Sequence, residues 1–386
     1  MKIIIARTAG FCMGVRRAVD MVLDASKKFK GPIFTYGPLI HNPQVLEVLS
    51  EKGIRVIDKI PGRGSGTVLI RAHGVPPETA FLLRNAGFEV IDATCPRVIK
   101  VQTIIQKHAN KEFSAIIIGD RDHPEVVGLL GYARGRGVVA GDLEEFKSLP
   151  EFENAIIVAQ TTQNTALYES IKGYVRSSYP HYKIFETICD STEKRQEEVN
   201  QLASGVDVVV VVGGNTSGNT QRLYEIASKY GKAAFQIESE SDLNADALAG
   251  AECIGITAGA STPNWVIRRV YRFLETMPLL VGSRWRRKAF LVRRALLYTN
   301  IYLALGAGFL YYACSGLQGI EYFFLPGLIP VFYVLTMHLF NNLTGRRADR
   351  YNDPDKSIFY DRYKFPLKTL AILSGVAGII ISVITG

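Results

Sequence analysis

Short runs of β-branched and aliphatic residues alternate with amphipathic stretches over residues 1 to 277. This alternation is typical of βαβ units, in which a helix connects each strand to a parallel neighbour. The runs predict twelve strands, at 2–6, 33–36, 54–57, 67–71, 88–92, 114–118, 137–140, 155–159, 183–187, 207–212, 233–237 and 253–257. Amphipathic patterns such as 14–28 and 163–177 predict helices between most of them.

A cysteine follows the last strand when the predicted strands are grouped in fours. FEVID runs into Cys95, and KIFET runs into Cys189. The last three strands form a complete group only if the first strand of the chain, KIIIA, joins them; that strand runs into Cys12. We therefore expect a first region, 1–280, of three small parallel-sheet α/β lobes, at about 13–95, 96–189, and 190–277 plus 1–12.

Polar loops follow the first and third strands of each group. The first strands precede YGPLIHNPQV, GDRDHPEV and GGNTSGNTQR, and the third strands precede RAHGVPP, AQTTQNT and TAGASTPN. Ligands of open parallel sheets bind at the carboxyl ends of the strands. Three such sheets around one centre would bring these loops and the three cysteines together.

The three cysteines that end the strand groups suit a metal centre. Each lies at or before a predicted helix start, where the helix dipole favours thiolate. Three converging thiolates fit an iron–sulfur cluster or zinc. The alternative is that they are buried small residues without a ligand. Cys253, in a strand, and Cys314, in an apolar helix, are predicted to lie in a core or to face lipid.

Two glycine-rich loops suit an anion. GGNTSGNTQRL follows a five-valine strand and opens a helix, and TAGAST places Ser261 after another strand. Backbone N–H groups and hydroxyls at a helix start bind phosphate, although a capped helix start has the same appearance. His41, His73 and His123 fall in strand-end loops and can donate to phosphate oxygens, with surface or capping use as the alternative.

Glu125 lies two residues after His123 in DHPEV. A carboxyl group in a pocket beside a reactive centre can deliver protons. The alternative is a first-turn glutamate stabilised by the helix dipole. Thr161 and Thr162, in QTT, could orient that proton or cap the following helix.

Taken in order, GFCMGV, LIHNPQV, RAHGVP, DATCP, DHPEV, QTT, TICDST, SGNTQRL and TAGAS closely resemble the LytB/IspH family. The resemblance covers roughly residues 1 to 277. It implies a three-lobed α/β protein around a central [4Fe–4S] cluster, with Cys12, Cys95 and Cys189 as the cluster ligands.

The resemblance also implies an activity, the reductive dehydroxylation of 4-hydroxy-3-methylbut-2-enyl diphosphate to isopentenyl and dimethylallyl diphosphate. Glu125 and Thr161 would serve proton transfer, and Thr161 would also contact substrate. Electrons would come from a ferredoxin or flavodoxin-type donor. The diphosphate would be held by His41, His73, His123, Ser217, Gly218, Asn219 and Ser261. Gly218 departs from the family pattern, since many members carry a second serine there, and its backbone N–H can replace that contact.

Beyond this region the sequence changes character. A basic linker at 281–295 precedes a membrane region at 296–386 with three candidate transmembrane helices, at 296–317, 322–340 and 367–385. Lys and Arg flank the first span and the second connection, so the positive-inside rule places the reductase in the cytoplasm, anchored to the inner or plasma membrane. Buried soluble helices are the alternative.

Two further observations bear on partners. The net charge is +9, but much of the excess lies after residue 280, and no basic stripe interleaved with aromatics occurs before it, so nucleic acid is not expected. The loop RRADRYNDPDK faintly resembles the Mg²⁺-diphosphate loops of UbiA-like prenyltransferases, although three spans are too few for that fold. Two other functions stay open, a zinc-dependent hydrolase and a membrane-tethered iron–sulfur sensor.

Overall fold

The computed structural model describes residues 2–244, 246–248, 250–281, 284–319, 324–344 and 354–385. These residues form two compact units, Met1–Glu275 and Thr276–Gly386. The first unit begins with strand β1 (Lys2–Ile5) and contains three four-stranded sheets, which we call lobes 1, 2 and 3.

Lobe 1 is a parallel sheet with the strand order β3-β2-β4-β5. Its strands are β2 (Ile33–Tyr36), β3 (Ile54–Ile57), β4 (Thr67–Ile70) and β5 (Glu89–Asp92). Its helices are α1 (Met13–Lys28), α2 (Pro43–Glu51) and α3 (Pro77–Asn85).

Lobe 2 repeats the arrangement in the order β7-β6-β8-β9. Its strands are β6 (Ser114–Ile118), β7 (Gly137–Ala140), β8 (Ala155–Ala159) and β9 (Lys183–Ile184). Its helices are α4 (Pro96–Ala109), α5 (Pro124–Gly131), α6 (Leu143–Lys147) and α7 (Thr165–Ser178).

Lobe 3 has the order β1-β12-β10-β11, so the first strand of the chain completes the last sheet. The other strands are β10 (Val208–Val212), β11 (Ala233–Ile237) and β12 (Cys253–Ala258). The helices are α8 (Asp190–Gly205), α9 (Gly218–Ser228) and α10 (Asn264–Val281), with short 3-10 helices at Glu240–Asp242 and Asp246–Leu248.

The prediction of three parallel-sheet lobes is confirmed. The central strands read as continuous apolar runs because helices cover both faces of a parallel sheet. All five valines of β10 are buried, and so are all five residues of β8.

Strand β9 is shorter than predicted, ending at Ile184 and not at residue 187. One further ladder bond follows, from Phe185 N–H to the carbonyl of Ile157 at 3.0 Å. The Thr187 hydroxyl then replaces the backbone: it accepts from Ala159 N–H at 2.7 Å and donates to the Ala159 carbonyl at 2.9 Å. A side chain that occupies both ladder groups of the neighbouring strand ends the pairing.

The second unit is helical in its described residues. It contains α11 (Arg284–Tyr298), α12 (Ile301–Leu317), α13 (Phe324–Thr344), α14 (Pro354–Arg362) and α15 (Lys364–Thr385). The stretch predicted as a basic linker lies mostly within α11. Of the loop that resembles UbiA-like sequences, residues 346–356, the part 346–353 lies outside the described residues.

Two of the three predicted spans are helices long and apolar enough to cross a membrane, Phe324–Thr344 and Lys364–Thr385, by length and composition only. The remaining predicted span is the first along the chain, 296–317. The helix found there, Ile301–Leu317, is shorter than predicted because the chain breaks at Asn300, whose φ of 57° is left-handed. The five residues of the predicted span that precede Ile301 belong to α11 or to the turn at Thr299 and Asn300.

Close contact between α12 and α13 depends on two glycines. A Cβ on Gly308 would lie 2.6 Å from Val331 Cγ2, and one on Gly327 would lie 2.9 Å from the Tyr312 ring. Small residues at helix crossings let the backbones approach, as at interfaces between membrane helices. Leu335, Leu339 and Leu367 belong to the apolar cluster that packs α13 against α15.

Candidate active site

Three cysteines occupy equivalent positions in the first unit. Cys12 follows β1, Cys95 follows β5 and Cys189 follows β9, and each is the N-cap residue of the helix that comes next, α1, α4 or α8. The expected position at a helix start is thus observed at all three sites. The equivalence extends to the neighbouring strand, as the backbone hydrogen bonds show.

Each cysteine N–H donates to the loop that follows the third strand of the same sheet. Cys95 bonds to the carbonyl of Ala72 at 2.9 Å, Cys189 to Thr161 at 2.9 Å, and Cys12 to Ala260 at 3.1 Å. These bonds tie each cysteine to the loop that follows the neighbouring strand. The backbone therefore fixes all three thiols relative to the loops that carry the predicted anion-binding and acid residues.

One cavity of about 90 Å³ joins these loops. Every residue predicted for the site from the sequence lines it, namely Cys12, Cys95, Cys189, His41, His73, His123, Glu125, Thr161, Thr162, Ser217, Gly218, Asn219 and Ser261. The cavity thus contains thiols, imidazoles, hydroxyls and one carboxyl group, drawn from all three lobes.

Gly14 lets two of the thiols approach each other. A Cβ on Gly14 would lie 2.5 Å from Cys95 Sγ, 3.2 Å from Cys95 Cβ and 4.0 Å from Cys12 Sγ. The first distance is shorter than real Cβ atoms adopt, so any larger residue at this position of α1 would require the Cys95 side chain to move. Gly14 is part of the motif GFCMGV, but its contact with Cys95 depends on how the start of α1 meets the start of α4.

The residues present fit a metal cluster with thiolate ligands. Burial raises the pKa of Cys95 most, and the nearby Cys12 and Cys189 raise it further, against the opposing backbone N–H groups of Arg97 and Val98. The expected lowering by the helix start is therefore outweighed at Cys95. Three clustered thiols that oppose one another's ionisation are stabilised as thiolates by a bound cation.

A buried arginine lies beside this cluster of thiols. Arg195, on α8, is 4% exposed; its Nη2 donates to the Gly10 carbonyl at 2.7 Å and its Nη1 to the Ala258 carbonyl at 3.2 Å. Burial lowers the pKa of Arg195, while Cys12 and Cys189 raise it. Sequence reasoning missed this residue. Its fixed charge would offset negative charge on a thiolate-bound cluster.

The three predicted histidines form one group. Their ring centroids are 4.7 Å apart for His41 and His73, 5.3 Å for His73 and His123, and 5.7 Å for His41 and His123. One ring nitrogen from each lies within 4.8 Å of the other two. Nitrogen atoms at these separations can together contact a phosphate group or a metal ion.

Burial is the main cause that lowers the pKa of all three imidazoles. Desolvation lowers the pKa of His41 and lowers that of His73 well below its usual range. The pKa of His123 falls to about 4, mainly by desolvation and then by the nearby His41. His123 Nδ1 accepts from Glu125 N–H at 3.1 Å, so the neutral ring carries its proton on Nε2.

The carboxyl group of Glu125 is 2% exposed, and among the described residues it bonds only to Thr161. Its Oε1 accepts from Thr161 N–H at 2.6 Å, and its Oε2 accepts from Thr161 Oγ1 at 2.9 Å. Burial raises the pKa of Glu125, and these two hydrogen bonds partly oppose the rise. The Thr161 carbonyl accepts from Cys189 N–H. Thr161 therefore links the Glu125 acid to a candidate metal ligand through hydrogen bonds.

The two glycine-rich loops supply donors to the same cavity. Ser217 is the N-cap of α9; its Oγ accepts from Thr220 N–H at 3.4 Å, which leaves its own proton to donate. Asn219 Nδ2 is buried without a hydrogen-bond partner among the described residues. Ser261 Oγ instead donates to the His41 carbonyl at 3.0 Å, so it also fixes the His41 loop.

Gly218 gives the Arg222 guanidinium access to this loop. A Cβ on Gly218 would lie 3.0 Å from Arg222 Nη1, a buried atom without a hydrogen-bond partner among the described residues. Nη2 pairs with both oxygens of Asp120, at 2.8 and 2.9 Å, and Nε donates to Gln163 at 2.9 Å. Arg222 was within the quoted motif SGNTQRL, but its spacing gave no signal of this contact.

The remaining cysteines are not part of this group. Cys253 is half-buried against the core of lobe 3, and Cys314 is exposed on α12. Neither lines the cavity.

Known proteins share this arrangement of lobes and loops. The profile of the LytB protein family matches residues 3–275. The 4-hydroxy-3-methylbut-2-enyl diphosphate reductase of Aquifex aeolicus is 41% identical over 271 residues, which are 69% of this chain and 94% of the relative. The reductase of Geobacter sulfurreducens is 41% identical over 278 residues, 71% of this chain and 97% of the relative.

Solved structures agree. The E-1-hydroxy-2-methyl-but-2-enyl-4-diphosphate reductase from Plasmodium falciparum aligns with a TM-score of 0.68 at 26% identity, over 74% of this chain and 89% of that chain. A second structure, (E)-4-hydroxy-3-methyl-but-2-enyl diphosphate reductase, described as the terminal enzyme of the non-mevalonate pathway, aligns with a TM-score of 0.54 at 39% identity, over 71% and 99%. The chain therefore belongs to the LytB family.

Proposed function

We propose that the first unit reduces 4-hydroxy-3-methylbut-2-enyl diphosphate to isopentenyl diphosphate and dimethylallyl diphosphate, the last step of the non-mevalonate isoprenoid pathway. The observation that carries this is a single cavity in which three thiols, a group of donors for an anion and a buried acid meet. Two relatives named for this activity align with this chain over 94% and 97% of their own length.

The reaction removes the C4 hydroxyl as water and consumes two electrons and two protons. Cys12, Cys95 and Cys189 would hold a [4Fe–4S] cluster, which would pass the electrons to the substrate from a ferredoxin or flavodoxin-type donor. With three protein thiolates, such a cluster keeps one iron without a protein ligand. Arg195 would stabilise its negative charge.

The chain's own residues bind the substrate and move protons. His41, His73 and His123 donate to the diphosphate together with Ser217 and Asn219, because their free N–H and O–H groups face one cavity. The backbone N–H of Gly218 and the loop fixed by Ser261 complete this diphosphate-binding site. Glu125, with its raised pKa, delivers a proton to the departing hydroxyl, and Thr161 holds the carboxyl group in place through its bonds to both carboxyl oxygens.

Metal analysis tests this proposal against the alternatives. After anaerobic purification, about four iron atoms and four acid-labile sulfides per chain are expected for this cluster type. One zinc without sulfide would indicate the hydrolase instead. A full cluster with no turnover of substrate, using a chemical reductant, would indicate a sensor.

Diphosphate binding is expected to take up protons. Burial lowers the pKa of all three histidines in the free protein, to about 4 for His123. A bound diphosphate raises these pKa values, so affinity should increase as pH falls from 8 toward 5, and this gain ends near the free-state pKa of about 4. Calorimetry of the oxidised enzyme in buffers of different ionisation enthalpy measures the uptake.

We expect net proton uptake that grows as pH falls from 8 toward 5, because a group takes up a proton on binding only between its free and its bound pKa. The His123→Gln variant keeps a donor but cannot protonate, so its uptake should be smaller. Equal uptake in the variant, or proton release in both proteins, would contradict the role of His123.

The second unit is proposed to anchor the enzyme to a membrane, with the first unit on the cytoplasmic side. Support comes from α13 and α15, which are long and apolar enough to cross a bilayer, and from the Lys and Arg residues that flank them. The first unit needs nothing from it for its cavity, since every lining residue lies within residues 12–261.

Truncation separates the two units. A chain ending after Val281 keeps α10, whose Leu274 and Met277 are buried, and should be soluble and active with a chemical reductant. The full chain should sediment with membranes and resist 1 M salt, because apolar burial is not screened by ions. Release by salt would contradict the anchor, and an inactive truncation would contradict the independence of the cavity.

A further inference from the structure

One arginine of lobe 3 bonds to two strand-end loops of lobe 2. Arg222, on α9, is 6% exposed. Its Nη2 donates to both carboxylate oxygens of Asp120, at 2.8 and 2.9 Å, and its Nε donates to Oε1 of Gln163 at 2.9 Å. Asp120 follows β6, and Gln163 follows β8. A single guanidinium group therefore joins three chain segments, each of which also contributes residues to the candidate active site.

The bond to Asp120 holds the loop that carries two site residues. The Asp120 carbonyl accepts from His123 N–H at 3.0 Å, and the Asp120 N–H donates to Gln160 Oε1 at 3.0 Å. Asp120 therefore begins the turn that ends at His123, and Glu125 lies two residues further along, in α5. A displacement of Asp120 would move the His123 imidazole relative to Ser217, which lies on the other side of the cavity wall formed by α9.

The bond to Gln163 holds the second loop. Gln163 is 2% exposed, and its Oε1 also accepts from Asn164 N–H at 2.8 Å. Its carbonyl accepts from Gln196 Nε2 at 2.9 Å, which ties the same loop to α8. Thr161, the partner of the buried acid, lies two residues before Gln163. The guanidinium is thus bonded to a loop that is itself held on more than one side.

Arg222 lies behind the reductase cavity and not in its lining. A second cavity, of about 420 Å³, lies beside the guanidinium, with Asp120, Gln163 and Arg222 among its lining residues. Among the described residues, only Gly218 lines both this cavity and the reductase cavity. Arg222 is therefore situated to act on a bound anion through the loops that it holds.

We propose that Arg222 is a positioning residue for the diphosphate site, holding His123 at the separation from Ser217 and Asn219 that lets both sides bind one diphosphate. The identity of the ligand rests on the proposed function. A guanidinium suits this role because its bidentate pairing with a carboxylate fixes direction as well as distance. The ammonium group of lysine is a point charge and does not fix direction.

Calorimetric binding of inorganic diphosphate to the full chain, purified anaerobically and kept oxidised, tests this inference without turnover. Arg222→Ala should weaken binding about 10- to 100-fold, because displaced loops weaken several charge-assisted hydrogen bonds at once. Arg222→Lys keeps the charge but loses the fork, so it should also weaken binding. Arg136→Ala is the matched control: Arg136 pairs with Glu112 on the surface at 3.3 Å, lines neither cavity, and should bind normally when replaced.

The Asp120→Ala variant separates positioning from charge. Asp120 is a negative charge close to His123, so its removal would strengthen anion binding if charge alone mattered. Loss of the Arg222 bond predicts weaker binding instead. The double variant Arg222→Ala/Asp120→Ala should bind no more weakly than Arg222→Ala, because both changes remove the same contact.

Chemical rescue separates positioning from a role in stability. Methylguanidinium chloride should restore binding to Arg222→Ala through the adjoining cavity, whereas tetramethylammonium chloride at the same concentration should not. Iron content and melting temperature are measured for each variant, since a merely structural role would lower these and leave the affinity of the folded protein unchanged.

Four results would overturn the inference: no binding of diphosphate by the parent chain, parent-like affinity of Arg222→Lys, tighter binding by Asp120→Ala, or an equal response of Arg222→Ala to the two salts. A chain that binds diphosphate, follows the expected pattern and does not reduce the substrate would support the inference and contradict the proposed function. Each proposal can therefore fail alone.

Discussion

Replacing Cys95 by serine is expected to remove the iron–sulfur cluster and reduce turnover below detection. The substitution keeps the size of the side chain and the backbone bond from Cys95 N–H to Ala72, so the fold should be retained. It exchanges a soft, ionisable thiol for a hydroxyl, which is a poor ligand for iron in such clusters. Cys12→Ser and Cys189→Ser should behave in the same way, because the three sites are equivalent in position.

Iron, acid-labile sulfide and the visible absorption of the anaerobically purified protein measure this effect. Cys253→Ser and Cys314→Ser are the matched controls, because neither thiol lines the cavity, and both should retain full iron content. A Cys95→Ser protein with full iron and sulfide would contradict the assignment of Cys95 as a cluster ligand.

Replacing Glu125 by glutamine is expected to lower turnover by roughly two to four orders of magnitude, the usual worth of general acid catalysis. The amide has nearly the same shape, and its oxygen can still accept from Thr161 N–H. It has no acidic proton to give to the departing hydroxyl. Substrate binding should change little, since the diphosphate contacts are made by other residues.

Glu78→Gln is the matched control for this variant. Glu78 and Glu125 each follow the proline that begins a short helix, α3 or α5, but Glu78 is exposed and lies outside the cavity. Turnover with a chemical reductant and substrate binding under non-reducing conditions should both be normal in Glu78→Gln. Near-normal turnover of Glu125→Gln would show that Glu125 only stabilises the start of α5.

Much of the first unit follows from its sequence. The apolar runs predict all twelve strands, because a strand covered on both faces must be apolar at nearly every position. Polar side chains begin where those apolar runs end, so the sequence also indicates the loops at the carboxyl ends of the strands. That is why Cys12, Cys95, Cys189, His123 and Glu125 could be selected as candidates before the structure was known.

Two element boundaries differ from the prediction, because a side chain or a backbone dihedral angle ended an element that the hydrophobic periodicity extended further. Strand β9 ends early because the Thr187 hydroxyl takes both backbone groups of Ala159. The first predicted span is shortened because Asn300 adopts a left-handed conformation between α11 and α12. Both cases show a single side chain or dihedral angle overriding a regional pattern.

The sequence by itself determined the lobes, their order and the residue types at each strand end, since these follow from local hydrophobic periodicity. Only the tertiary structure decided which groups touch across lobes. Gly14 admits the Cys95 thiol, Arg195 lies beside two cysteines and Arg222 reaches the loop at Gly218. The burial that shifts the pKa of Glu125 and His123 likewise comes from several lobes at once. Contacts between distant segments depend on how whole sheets pack, and no local pattern records that packing.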